Sequence, residues 1–273
     1  MPSLKFNFVL IDRNTQNSYD YKTNYTVKGR IFIREGPENF KLEESTIWSF
    51  PDRGKWATHS GKYRGNWSPY IPRNLILRYT KEDDWVLDQF LGSGTTLIEA
   101  KLLGRNAIGI DVNPDAIKLS DYNLKFSIQT NSKIFTRQGN ARDLSFIKNS
   151  SIDMICTHPP YADIIEYSDS IPEDMSHLQY EEFLLAMKDV AVEANRVLKK
   201  NAICAHMIGD VREKGYVRPL GMDSMNVFLE SGFKLKEIII KEQHNCRSTE
   251  YWQKKKKNFL MLAHEYIFVL EKQ

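Results

Sequence analysis

Apolar positions in the second and third quarters of the chain switch repeatedly between a spacing of two and a spacing of three to four, and the switches mark out a succession of elements. Trp85–Leu87 reads as a short strand, a run of good helix formers beginning at Thr95 stops at Gly104, and Asn106–Ile110 reads as the next strand. Asn113-Pro114 opens a helix to about Asn123, followed by strands near Lys133–Arg137 and at Ile152–Cys156. Phe183, Met187, Val190, Ala194 and Val197 recur on one helical face, a core stripe that ends in Lys199-Lys200-Asn201. Strand Ala202–Ile208, helix Met222–Ser231 and the strands Phe233–Lys241 and Phe259–Leu270 complete the series. Strands that alternate with helices in this way predict an α/β domain with a mainly parallel sheet.

The first part of the chain is patterned differently. Phe6–Ile11 and Thr26–Ile33 alternate as strands with a polar stretch between them, which predicts a small β appendage over residues 1–45 and a main domain over residues 46–273. Trp48–Pro72 is rich in Gly, Pro, aromatic and basic residues; it should be irregular and lead into a short helix, Arg73–Tyr79. Irregular segments of this length inside a compact domain are often functional.

Composition narrows the class. A chain of 273 residues with 41% hydrophobic residues can bury a large core in one domain plus an appendage. No apolar run is long enough to cross a bilayer and no leader pattern precedes the chain, so the expectation is a cytoplasmic protein with no membrane partner. Cys156, Cys204 and Cys246 lie far apart without a C-x-x-C pair and predict neither a disulfide framework nor a metal site. His177, His206 and His264 likewise lack ligand spacing. The formal net charge of +3 is small, but Lys254–Lys257 form a basic block near Asn245, Arg247, Tyr251 and Trp252; such a run is usually a solvated loop, and with aromatics in it is also the composition of a loop that grips phosphates.

Two stretches carry candidate chemistry. The first is V-L-D-Q-F-L-G-S-G-T-T, in which a strand ends in Asp88, turns at Gly92-Ser93-Gly94 and enters a helix. A glycine turn alone is as consistent with a plain βα turn as with a nucleotide cradle, but Asp88 and Asp111 at successive strand ends favour the cradle. The third glycine of G-x-G-x-x-G and the lysine of a Walker loop are both missing, so a cofactor without a pyrophosphate fits better. The second stretch is Thr157-His158-Pro159-Pro160-Tyr161, where two prolines fix a strand end and turn the Pro159 carbonyl outward.

Together D-x-F-x-G-S-G-T-T and x-P-P-Y resemble the DNA amino-methyltransferases, and the resemblance runs from about Trp48 to the C-terminus. It implies a Rossmann-like class I methyltransferase fold: a mainly parallel twisted sheet with an antiparallel C-terminal strand and helices on both faces. It implies S-adenosylmethionine as cofactor, with Phe90, Gly92, Ser93, Gly94 and Thr95 around the methionine part and Thr96 and Val112 beside them. Asp88 would meet the amino group and Asp111 the ribose, while Asn140 or Asp143 would meet the adenine amino group and the Asn66 segment would close over the methionine. His158, the Pro159 carbonyl, Pro160 and Tyr161 would form the target-base site. Double-stranded DNA is the implied partner, reached through Arg53, Lys55, Lys62 and Arg64 or through Arg247, Trp252, Lys254, Lys255 and Lys256. A cognate restriction endonuclease is the second partner that such enzymes can have.

The chain departs from the family at His158, where adenine enzymes carry Asp or Asn and cytosine-N4 enzymes carry Ser. A neutral imidazole has one lone pair and can accept a hydrogen from an exocyclic amine; a protonated one cannot. The preceding Thr157 leans toward cytosine N4 over adenine N6. Two other readings stay open: an RNA or protein-amide methyltransferase, and a catalytically silent module that binds DNA or S-adenosylmethionine.

Overall fold

The computed structural model describes residues 8–10, 25–27, 30–34, 36–161, 168, 171–244 and 258–273. Near the start, β1 (Phe8–Leu10), β2 (Tyr25–Val27) and β3 (Arg30–Arg34) form an antiparallel sheet in the order β1-β3-β2.

The main sheet has eight strands. They are β4 (Ile47–Trp48), β5 (Trp85–Asp88), β6 (Asn106–Asp111), β7 (Ile134–Gln138), β8 (Ile152–Thr157), β9 (Leu198–Ile208), and, beyond the small hairpin of β10 (Val211–Glu213) and β11 (Tyr216–Arg218), β12 (Phe233–Glu242) and β13 (His264–Lys272). Their spatial order is β4-β12-β13-β9-β8-β5-β6-β7. The five strands from β5 to β9 pair in parallel, whereas β13 runs antiparallel to both β9 and β12. The chain builds outward from β5 through β6 to β7 and then returns to β8 on the other side of β5. The strand order therefore reverses between β5 and β8, the place where open α/β sheets leave a crevice at their carboxyl ends.

Strand side chains alternate between two cores, as the two-residue period dictates. Val86, Met154, Ala205, Met207, Ile267 and Val269 face the layer made by α1 (Tyr70–Tyr79) and α2 (Thr95–Leu102), against which Ile117 of α3 (Pro114–Asn123) also packs. Leu87, Ile155, Cys204, Ile208, Phe268 and Leu270 face the layer of α4 (Tyr180–Val197) and α5 (Leu220–Glu230). The stripe on α4 is core as its spacing predicts, with Phe183, Val190, Ala194 and Val197 fully buried. Capping explains two helix starts: Asn113 Oδ1 accepts from Asp115 N at 2.9 Å with Pro114 in the first turn, and Gln179 and Glu182 form a capping box.

Several boundaries differ from the pattern. The stretch Thr26–Ile33 is divided between the paired strands β2 and β3, and α5 begins at Leu220 rather than Met222. Helix α1 begins at Tyr70, because Pro72 lies in its first turn, where the missing N–H would have had no partner. Helix α4 passes directly into β9, so Lys199-Lys200-Asn201 belong to the strand. They bulge between the pairs Ile152↔Leu198 and Met154↔Ile203, with Asn201 at φ 61°. The final strand starts at His264 rather than Phe259.

Candidate active site

The crevice at the β5/β8 reversal is a cleft with about 770 Å³ of empty space. Its floor is the turn from β5 into α2. Asp88, 2% exposed, accepts from Thr96 Oγ1 (2.5 Å), Thr157 Oγ1 (2.9 Å) and Phe90 N (3.1 Å). Burial pushes its carboxyl up to about 6, against those hydrogen bonds, which pull the other way. Asp111 ends β6 and accepts from Gly92 N (2.8 Å) and Asn113 N (2.9 Å); burial raises its pKa as well. Each of its oxygens keeps a second lone pair on the cleft wall.

The glycines have a different reason from the one the sequence suggests. Gly92 and Gly94 sit at φ 51° and 87°, and a Cβ there would press on Tyr63 (3.1 Å) and Ser120 of α3 (3.0 Å). They are required by the turn and by its packing, and the ligand wall is formed by what they let approach. Asn66 ties this turn to the upstream segment: it donates to Ser93 Oγ (2.7 Å) and accepts from Thr95 Oγ1 (2.5 Å).

Strand β8 delivers the second half of the site. Beyond Thr157 the two prolines carry the chain into the cleft, where His158 stacks on Trp67 (centroids 5.6 Å, 20° between planes) and meets Tyr161 edge-on at 5.7 Å. Burial lowers the His158 imidazole to about 4; Glu265 and a backbone hydrogen bond with Gly65 raise it and Lys241 lowers it further, leaving the ring neutral at pH 7. His158 Nε2 lies 3.4 Å from the Tyr161 hydroxyl, which donates to Glu265 Oε1 at 2.7 Å, and Lys241 Nζ donates to Glu265 Oε2 at 2.9 Å.

Residues 48–73 are held by a buried carboxylate. Glu99, 0% exposed on α2, accepts from Trp56 Nε1 (2.6 Å), His59 Nε2 (2.6 Å) and Arg73 Nη1 (2.7 Å). Burial lowers the His59 pKa against the pull of Glu99, and His59 Nδ1 has no partner among the described residues, as expected of a neutral ring with its proton on Nε2.

Of the predicted cofactor residues, Asn66, Asp88, Phe90, Gly92, Ser93, Asp111, Val112 and Asn140 line the cleft. Gly94, Thr95 and Thr96 lie just behind the wall. Asp143 does not reach it; it is exposed and its Oδ1 caps Ser145 N at 3.0 Å. Among the base-site residues His158 and Pro160 line the cleft, with Pro159 buried and Tyr161 half-buried beside it. Lys55 and Arg64 are exposed, but Arg53 is turned inward: its Nη2 donates to the Trp67 carbonyl at 2.8 Å, and burial lowers its pKa to about 10. Arg53 thus braces the ring on which His158 stacks. Arg247, Trp252, Lys254, Lys255 and Lys256 lie outside the described residues. Trp67, Gln89, Lys241 and Glu265 were not singled out by sequence, and Thr157 was read for its bearing on the target base rather than for its bond to Asp88.

The site suits S-adenosylmethionine. Gln89, 1% exposed, lines the cleft with its Oε1 lacking a partner among the described residues, an acceptor awaiting a donor. Asp88 and Asp111 both line the cleft, one before the glycine turn and the other at the end of the neighbouring strand, and give it two carboxylates. The cofactor supplies an electrophilic methyl group on a sulfonium.

Known proteins agree. A crystal structure of an S-adenosylmethionine-dependent methyltransferase from Methanosarcina mazei has the same fold, with a TM-score of 0.52 at 17% identity over 72% of this chain and 96% of that one. The Type II methyltransferase M2.LlaDCHI of Lactococcus lactis subsp. cremoris is 46% identical over 110 residues, 40% of this chain and 36% of that protein. A tRNA (guanine(10)-N2)-dimethyltransferase of Methanothermobacter thermautotrophicus is 33% identical over 123 residues, 45% of this chain and 34% of that protein. The chain thus spans about a third of the length of these curated relatives. A profile of RMKL-like methyltransferase domains matches residues 75–209. The DNA methylase profile matches residues 5–121 and 152–273, most of the sequence and both motif-bearing stretches, so the chain belongs to the DNA methylase family.

Proposed function

We propose that the protein transfers a methyl group from S-adenosylmethionine to the exocyclic amine of a base in double-stranded DNA, cytosine N4 or adenine N6. The observation that carries this reading is that His158 lines the same cleft as Asp88 and Asp111, bringing an amine acceptor to a cofactor cradle. The base swings out of the stack and rests against the aromatic corner of Trp67 and Tyr161. His158, neutral at pH 7, accepts one amine hydrogen and the Pro159 carbonyl the other, which draws the nitrogen lone pair out of conjugation. The bound cofactor would supply the methyl group to the nitrogen and would keep the electron pair of the carbon–sulfur bond, so no side chain of the cleft is needed to assist the leaving group. The surplus proton leaves the now cationic nitrogen for His158 or water.

The Thr157 hydroxyl donates to Asp88 and accepts from Gln89 N at 3.2 Å, so this side chain serves the cofactor side of the cleft whichever base is methylated. A second reading, methylation of a guanine or other amine in RNA, draws on the tRNA-modifying relative and the RMKL-like match. Labelled S-adenosylmethionine offered separately to unmethylated duplex DNA and to RNA, with the nucleosides then identified by mass, decides both matters. N4-methylcytosine or N6-methyladenine is the expected product; label in RNA alone moves the assignment to the second reading.

A further inference from the structure

We propose that Glu265, backed by Lys241, is a positioning residue that holds the proton of the Tyr161 hydroxyl and so keeps the Nε2 lone pair of His158 free for the substrate amine. The inference rests on the amine-methylation reading above. Glu265 and Lys241 are directly opposite one another on β13 and β12, and both stand at the carboxyl edge of the parallel strands, beside the corner after β8. Glu265 is 8% exposed, and a Cβ added at Gly209 would meet both its Cγ at 3.3 Å and the Tyr161 ring at 3.5 Å, so the carboxylate and the phenol sit together over this glycine.

The hydroxyl of Tyr161 has one proton, and among the described residues Glu265 and His158 both stand within its reach as acceptors. Glu265 Oε1 is at 2.7 Å and charged; His158 Nε2 is at 3.4 Å and neutral. A charge-assisted bond at the shorter distance wins. Burial pushes the Glu265 carboxyl up, but Lys241, His158 and the hydrogen bonds from Tyr161 and Lys241 outweigh it and hold the group below its usual value, so it stays an acceptor. On the other side of the imidazole, the backbone bond with Gly65 stabilises a proton on the ring, which marks the Gly65 carbonyl as acceptor. With Nε2 turned toward Tyr161, that bond belongs to Nδ1. A neutral ring has one proton, Gly65 takes it, and Nε2 is left with its lone pair. If Glu265 could no longer accept, the hydroxyl would turn its proton onto Nε2 and occupy the one acceptor that the amine needs. The other titratable group that bears on the ring is His206 on β9, which is fully buried and neutral.

The test is nitrogen NMR of the full chain labelled at its six histidines, with the His158 signals identified by their loss in His158→Gln. The native protein should show a pyridine-type Nε2 without a hydrogen-bond partner. Glu265→Gln should move it toward the value of a hydrogen-bonded acceptor, and Tyr161→Phe, which keeps the Glu265–Lys241 pair, should abolish that movement when the two changes are combined. A pyrrole-type Nε2 in the native protein, or an Nε2 signal that Glu265→Gln leaves in place, overturns the proposal. In methyl transfer, Glu265→Gln should lower kcat by ~10-fold or more with the KM for cofactor unchanged, and by under ~2-fold in the Tyr161→Phe background. Equal losses in both backgrounds also overturn it. If the nitrogen signals behave as stated while no amine in DNA or RNA is methylated, the positioning role stands and the reading of function fails.

Discussion

Asp88 and His158 line one cleft and titrate in opposite senses. The Asp88 carboxyl, raised to about 6 by burial, disfavours the folded state when ionised; its stabilising contribution is present below the ordinary carboxylate pKa and is lost as pH rises through about 6. The His158 imidazole, lowered to about 4, contributes stability above the ordinary histidine pKa that is lost as pH falls through about 4. The expected result is a separation of effects on the two ligands. Cofactor affinity measured by calorimetry should decline below about pH 6, as Asp88 takes up a proton and ceases to attract an ammonium, while kcat at saturating cofactor stays level to about pH 5. Affinity that is flat to pH 5 would remove Asp88 from the amino group. The same division can be made by mutation. His158→Ala should abolish transfer with cofactor affinity nearly intact, and Asp111→Ala should weaken cofactor binding by ~1–3 kcal/mol, because Gly92 N loses its acceptor along with the ribose. Equal affinity losses in the two variants would refute separate roles.

At the scale of elements, the irregular stretch before α1 is held because one carboxylate of α2 gathers an indole and an imidazole from it and a guanidinium from α1 itself. Glu99→Ala leaves Arg73 and His59 without their anion in a buried place, and urea unfolding should show a loss of ~3–5 kcal/mol. Cofactor affinity should fall with it, since Asn66 and Trp67 belong to the same stretch; a variant of native stability would show the network to be dispensable. The βα turn, the two strand-end acids and the x-P-P-Y corner were legible in sequence because each is set by residues within a few positions of one another. The buried core stripe of α4 was legible for the same reason. What escaped was made by pairing at a distance. Strand β4 is two residues long and is defined by its parallel pairing with Ile240 and Lys241 of β12. Tyr161 and Glu265 meet across 104 positions, and Arg53 reads as a free basic side chain until its bond to the Trp67 carbonyl is seen. The hairpin of β10 and β11 turns at Lys214-Gly215, both at positive φ, a conformation for which lysine gives little local warning.

For the whole molecule, the order of the strands in space is not their order in the chain. Strands β5 to β9 form a contiguous parallel unit, but β13 is inserted between β9 and β12, so the centre of the sheet is closed by residues 264–272. The same insertion places Glu265 beside Tyr161, the tyrosine that follows β8, and completes the corner it makes with His158. A sheet closed by so distant a strand has a large share of non-local pairing, which slows folding. During synthesis the nascent chain therefore leaves the ribosome with the edge of β9 bare: Ile203–Ile208, apolar but for His206, waits unpaired on that edge until about sixty later residues have emerged. Chains cut short before His264 should gather in the insoluble fraction, and a slower emergence of the segment after β9 should lengthen the interval in which a chaperone is needed.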